Sequence, residues 1–311
     1  MEIQEVDYKE YKKFVNADII YNTADFNYLN RYKVDRLHFF LFKDHSYKFA
    51  MCAGQRDDKI LCPFSAPFAS FVALKKQWHI LQLEEAIDCF DEFIKSDNQI
   101  KFVRFTLPPY IYDENLIVSM QNILLRKNYL IAQEELNFSF NLTNPVNFSF
   151  AGRKNLATAL RNDLKIRRCE NIEDKKIAYD IISQNRQSKG YPLRMTWDQV
   201  AETINLVDHD FFIVSNDEVD IASAVIFQVT DKIAQVIYWG DTPGYSSLRP
   251  VNFLAQNLVK YYKESRGGGA TYLDVGPSTE DGIPNYGLCD FKISTGCSIN
   301  SKFVLHKNFD R

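Results

Sequence analysis

Residues 233–263 read IAQVIYWGDTPGYSSLRPVNFLAQNLVKYYK, and this stretch decides the fold. Ile233 to Gly240 is dense in β-branched and aromatic side chains, the composition of a strand. Asp241 to Ser247 is the loop that follows. Leu248 to Lys263 is amphipathic, with Phe253, Leu254, Leu258, Tyr261 and Tyr262 as its apolar residues. Pro250 sits in its first turn, where a missing N–H costs nothing. A strand end feeding a helix N-terminus offers free backbone N–H groups and a positive dipole end. Both suit a phosphate or a carbonyl oxygen gaining charge. The plainer account is an ordinary connection in which Ser246 or Ser247 caps the helix.

Working outward, Phe211 to Ser215 and Ile221 to Thr230 read as two further strands, joined by a turn at Asn216-Asp217-Glu218. With Ile233 to Gly240 they make an antiparallel trio. Upstream lie a helix at Arg153 to Asn162, a short strand at Leu164 to Arg168, a helix at Ile172 to Ser188, and one capped by Thr196 that runs to about Val207. Downstream, Arg266-Gly267-Gly268-Gly269 ends the long helix, Tyr272 to Val275 is a strand, Leu288 to Ser294 a short helix and Ser301 to His306 a final strand.

The first half has its own set: a hairpin of Leu37 to Phe42 and Tyr47 to Ala53, a helix at Leu81 to Lys95, a strand at Phe102 to Leu107, a helix at Glu114 to Lys127 and a strand at Ile131 to Leu142. Its segment Pro63 to Phe68 is too proline-rich for a central strand and too apolar for a free loop, so packing is its expected role. Asn144-Pro145 breaks the chain, which divides it into residues 1–146 and 147–311. The fold class is therefore α/β, with two mixed, mostly antiparallel sheets flanked by helices.

The 311 residues are 46% hydrophobic and 25% charged, with 37 Lys+Arg against 40 Asp+Glu. A net charge of −3 supplies no global field for nucleic acid or an anionic membrane. The acidic N-terminus lacks the regions of a signal peptide, and no apolar run approaches the ~20 residues a spanning helix needs. The six cysteines form no CxxC and no zinc spacing, so reduced thiols in the cytoplasm and no metal are the expectation. Hydrolase, zinc-protease, Walker and dinucleotide motifs are all missing.

The polar chemistry concentrates in Asp274-Val275-Gly276-Pro277-Ser278, Asn285-Tyr286-Gly287-Leu288 and Phe291-Lys292. Gly276 and Gly287 permit close backbone approach, and Lys292 could set a cation against an ester oxygen, a phosphate or an oxyanion. Phe291 reads as a core anchor. Arg161, Lys165, Arg167 and Arg168 form a basic cluster, read as facing either an anionic donor or solvent.

The order of helices, three antiparallel strands ending in Tyr238-Trp239-Gly240, a helix, and the DVG, NYGL and FK series resembles the GNAT acyltransferase fold, and within it the two-lobed Fem-type branch. That resemblance implies transfer of an acyl or aminoacyl group to a primary amine of a small molecule or peptide, with acyl-CoA or aminoacyl-tRNA as the donor. The family's Phe-Lys pair falls on Phe291 and Lys292, and its splayed central strand on Tyr238, Trp239 and Gly240. Ser246, Ser247, Arg249 and Asn285 are the further donor or substrate contacts. Two features depart from the pattern: the usual pyrophosphate loop is absent from DTPGYSSLRPVNF, and Ile172 to Val207 is too short for the helical-hairpin arm of some Fem proteins.

An attacking amine must lose a proton, and Asp274 or Asp241 is the expected base. The alternative is a catalytically silent scaffold that binds a peptide, sugar or nucleotide conjugate. The catalytic reading depends on one condition. The peptide groups flanking Trp239 must be left unpaired by their neighbours and point, with the Lys292 ammonium, into one cavity.

Overall fold

Alternation and helical spacing in the first half become strand β1 (Glu2–Val6), helices α1 (Tyr8–Phe14) and α2 (Ala24–Leu29), strands β2 (Arg36–Lys43), β3 (Tyr47–Arg56), β4 (Lys59–Cys62) and β5 (Val72–Ala73), helix α3 (Ile80–Ser96), strand β6 (Phe102–Thr106), helix α4 (Glu114–Arg126) and strand β7 (Leu130–Asn141). The second half follows with α5 (Phe150–Leu160), β8 (Lys165–Arg168), α6 (Ile172–Ser188), α7 (Trp197–Ile204), β9 (His209–Asn216), β10 (Val219–Thr230), β11 (Ile233–Asp241), α8 (Pro250–Glu264), β12 (Tyr272–Pro277), β13 (Thr279–Glu280), β14 (Ile283–Pro284), α9 (Tyr286–Ser294) and β15 (Ser298–Asn308). These come from a computed structural model that describes residues 1–309 except 218 and 265–268. The expected helix end at Arg266-Gly267-Gly268 and the turn residue Glu218 lie outside the described residues.

Two compact units result, residues 1–136 with 300–311, and residues 137–299. They depart from the expected division at 146/147 because end strands change sides. β15 pairs antiparallel with β6 of the first unit, Val304 opposite Thr106. The second part of β7 pairs with β12 of the second unit, Leu273 opposite Phe140. Strand pairing is non-local, so no reading of either half by itself contains it.

The first unit orders its strands β1-β2-β3-β4-β6-β15-β7, with β5 beside β3. α3 covers this sheet with Leu83, Ala86, Ile87, Phe90 and Ile94, all fully buried, the face its spacing predicts. Phe68 is buried at the end of the proline-rich segment, as packing requires.

The second unit orders its strands β7-β12-β11-β10-β9-β8. Ser223 of β10 donates to the carbonyl of Ala178 on α6 at 2.6 Å, and Tyr262 of α8 donates to Asp210 of β9 at 2.7 Å. Ile226, paired with Asp210, and Ser223 lie on opposite faces of β10, so the two helices cover opposite faces of the sheet. Thr196 caps α7 with a reciprocal box: its hydroxyl accepts from the Gln199 amide at 3.3 Å, and its own amide donates to the Gln199 side chain at 3.0 Å. Two members of the basic cluster are paired inside this unit. Arg167 makes a two-pronged pair with Asp220 at 2.7 Å, and Arg168 meets Asp210 at 2.6 Å.

Candidate functional site

β11 and β12 run parallel and pair for three residues, Ile233 with Tyr272, Ala234 with Leu273 and Gln235 with Asp274. Beyond Gln235 the register ends. β11 continues to Asp241 on β10 alone, Tyr238 opposite Val225 and Gly240 opposite Ser223, with an irregularity at Ile237. The edge of β11 around Trp239 therefore has no partner strand among the described residues, which is the first half of the condition set by the sequence.

β12 leaves because its backbone turns. Gly276 has φ +71, a left-handed conformation that L side chains rarely adopt. The turn aims the carbonyls of Val275, Gly276 and Pro277 at one point, the ammonium of Lys292, which donates to them at 2.8, 2.9 and 3.1 Å. Lys292 is 2% exposed, and its ammonium lies 5.2 Å from the centre of the Phe138 ring. Burial lowers its pKa to about 8. The second half of the condition is not met: the cation is buried, and its three donors are committed to backbone carbonyls instead of pointing into a cavity beside Trp239.

Asp274 is fully buried. One oxygen accepts from Asn137 at 2.8 Å and from the Gly276 amide at 2.9 Å, and the other from Gln235 at 2.8 Å. A carboxylate held by three donors away from water is an anchor for β7, β11 and β12, and this geometry does not suit the expected role of proton acceptor. Asp241 differs. Asn185 of α6 donates to both its backbone carbonyl, at 2.6 Å, and its carboxylate, at 3.1 Å, and the Lys189 ammonium lies 3.7 Å away.

Successive side chains of β11 face opposite ways. The Tyr238 ring sits 5.7 Å from the Arg186 guanidinium of α6, and burial pushes its phenol pKa up. Trp239 meets the Phe291 ring of α9 edge-on at 5.7 Å, so Phe291 flanks the open edge and is only partly buried. Gly240 lies under Asn185, where an added Cβ would stand 2.7 Å from the amide carbon.

The remaining candidates are dispersed. Ser246 and Ser247 do not cap α8; with Leu248 they form a separate turn ended by Arg249 at φ +59. α8 starts at Pro250, two residues later than expected, because that left-handed residue interrupts the helix. All three are exposed. In the first turn of α8, Asn252 is 4% exposed and its Nδ2 has no hydrogen-bond partner. Asn285 caps α9, accepting from the Leu288 amide at 3.1 Å, and donates to the Tyr191 hydroxyl at 3.2 Å. Sequence reasoning missed Asn185, Gln235, Asn137 and Asn252. Only an amide side chain on an otherwise apolar face marked them.

No family model matches the chain, and no curated protein matches it. Among solved structures it is similar to FemX, with 11% identity, a TM-score of 0.68, and coverage of 98% of this chain and 97% of that one. It is also similar to the C-terminal domain of a putative lysylphosphatidylglycerol synthetase from Agrobacterium fabrum, at 13% identity, TM-score 0.61, and coverage of 97% and 93%. L-PGS from Bacillus licheniformis matches at 11% identity, TM-score 0.61, and coverage of 99% and 94%. The chain has the two-lobed, GNAT-like fold of the Fem type. Among the described residues no helix is long and apolar enough to cross a membrane.

Proposed function

We propose that the chain transfers an acyl or aminoacyl group onto a primary amine at the open edge of β11. The observation that carries this reading is the end of the β11–β12 register at Gln235, which leaves one edge of β11 beside Trp239 without a partner strand among the described residues. Fixed N–H groups aimed at an oxygen gaining charge stabilise a tetrahedral intermediate at no reorganisation cost. Tyr238, Trp239 and Gly240 supply that edge, and Phe291 walls it. Asp241 takes the proton from the amine. Of the two candidate carboxylates it is the one not enclosed by the β12 anchor. The first turn of α8, with Arg249, Ser246, Ser247 and the unpartnered Asn252, receives the phosphate of the donor.

Solved structures of FemX and L-PGS with the same fold support the acyl- or aminoacyltransferase class. Acyl-CoA and aminoacyl-tRNA are the donors to test. The full-length protein is melted in the presence of each donor class and of candidate amines. A ligand at ~100 times its Kd adds about 2.7 kcal/mol to the folded state. Stabilisation by a donor, followed by mass-spectrometric detection of the acylated amine, is the expected result. Stabilisation by acceptors alone would support the second reading, a silent scaffold. That reading is favoured by the full commitment of Lys292 and Asp274 to the protein's own backbone and side chains.

A further inference from the structure

We infer that Lys292 and Asp274 form an ion pair bridged by the Val275–Gly276 peptide, whose task is to hold the end of β12 off β11. Both are then positioning residues for the open edge, and neither touches the reacting atoms. The inference rests on the reading of that edge as the working site.

A strand in a ladder points successive carbonyls to opposite edges, so three in a row cannot converge on one point without a backbone turn. Here the carbonyls of Val275, Gly276 and Pro277 all accept from Lys292, at 2.8, 2.9 and 3.1 Å. The peptide unit between Val275 and Gly276 is held at both ends. Its C=O accepts from the Lys292 ammonium at 2.8 Å, and its N–H donates to Asp274 at 2.9 Å. Cation, amide dipole and anion are thus in series, the arrangement that lets each charge stabilise the other through the amide.

The same carboxylate accepts from Gln235 at 2.8 Å, and Gln235 is the last residue of β11 in register with β12. Asp274 therefore ties the final paired rung to the first diverted peptide. Lys292 then takes consecutive carbonyls of β12, among them those that a continued ladder would offer to β11. Two charges at 2% and 0% exposure are costly to remove from water. Apolar residues would pack the same space without that cost, and without the diversion of β12. The other charged or ionisable groups that act on Lys292 are Cys297, Cys289 and Arg186.

The test uses Lys292→Met, Asp274→Asn and the double variant of the full chain, with amide hydrogen exchange read over residues 236–241 and 274–278. In Lys292→Met the released carbonyls pair with β11, and edge amides between 236 and 241 slow at least tenfold. Asp274→Asn shifts the same amides, and the double variant is no more altered than the stronger single one. Unchanged or faster exchange at 236–241, with β9 and β10 protected as in wild type, would overturn the proposal, as would additive effects in the double variant. Should Lys292→Met not fold, a pH titration of the wild type by NMR decides. The Gly276 amide resonance must shift with the midpoint of the Lys292 side chain, near the value of about 8 set by its burial. Separate midpoints would reject the bridge. Neither readout needs turnover, so failure of the bridge and failure of the acyl-transfer reading are distinguishable.

Discussion

Each unit contains a parallel strand pair beside an antiparallel hairpin, and the two pairs end differently. In the first unit β4 and β6 pair from Lys59 with Phe102 to Cys62 with Phe105, and β4 ends there, at the residue before Pro63. In the second unit β11 and β12 separate after three rungs, and β11 runs six residues further, from Val236 to Asp241. The closed pair is finished by a proline that can donate no hydrogen bond. The open pair is held apart by a glycine in the left-handed region, a buried ammonium and a buried carboxylate. A ladder stops cheaply where the strand stops. Keeping one strand while diverting its neighbour requires other acceptors and donors for every stranded backbone group.

The sharpest way to break this contrast is to remove the ammonium. Lys292→Met leaves the buried Asp274 charge uncompensated and should destabilise the protein by about 3–5 kcal/mol in urea unfolding. Arg104→Met on β6, an exposed position of the closed pair, should change stability by less than about 0.5 kcal/mol. Equal effects would remove the distinction between the pairs.

The pH dependence sharpens the same point. The Lys292 pKa falls from 10.5 in the unfolded chain to about 8 in the fold, so between those values the unfolded state binds more protons. Its contribution to stability therefore rises as pH increases from about 8 to 10.5, by up to roughly 3 kcal/mol. Below about pH 8 the full cost of the buried charge is present. The difference between wild type and Lys292→Met, followed by unfolding across this range, should show that slope, and a flat difference would contradict it.

Glycines under a neighbouring side chain test where geometry serves the site. An added Cβ at Gly54 stands 2.6 Å from Phe64, and at Gly240 2.7 Å from Asn185. Each Ala variant should lose about 1–3 kcal/mol by overpacking. Only Gly240→Ala, which displaces the residue holding Asp241, should also lower donor binding in the melting assay.

The smallest expected effect on stability belongs to Arg249, exposed before α8. Arg249→Ala should shift stability by less than about 0.5 kcal/mol yet weaken binding of a phosphate-bearing donor. Unchanged donor binding would take that arginine out of the site.

Much of this was legible from local pattern. Ile172–Ser188 and the start of β11 at Ile233 fall where the spacing puts them, and Thr196 caps its helix as expected, though that helix ends at Ile204. Of the candidate site residues, Trp239 and Phe291 meet ring to ring in the fold. Roles were less legible. Lys292 reads as a free cation until its three carbonyl partners, 15 to 17 residues away, are seen. Asp274 reads as a base until Asn137 and Gln235 close around it. Short β4 carries too few residues for a period to show.

The sequence by itself determined the longer helices and strands and their buried faces, because helix and strand periodicity and capping act over a few residues. Only the tertiary structure decided that β15 joins the first unit, that β7 lends its end to the second, and that β11 keeps an open edge. Those outcomes depend on which distant backbone groups find partners. Hydrogen-bond satisfaction of that kind is a property of the packed whole and leaves no mark in any local window.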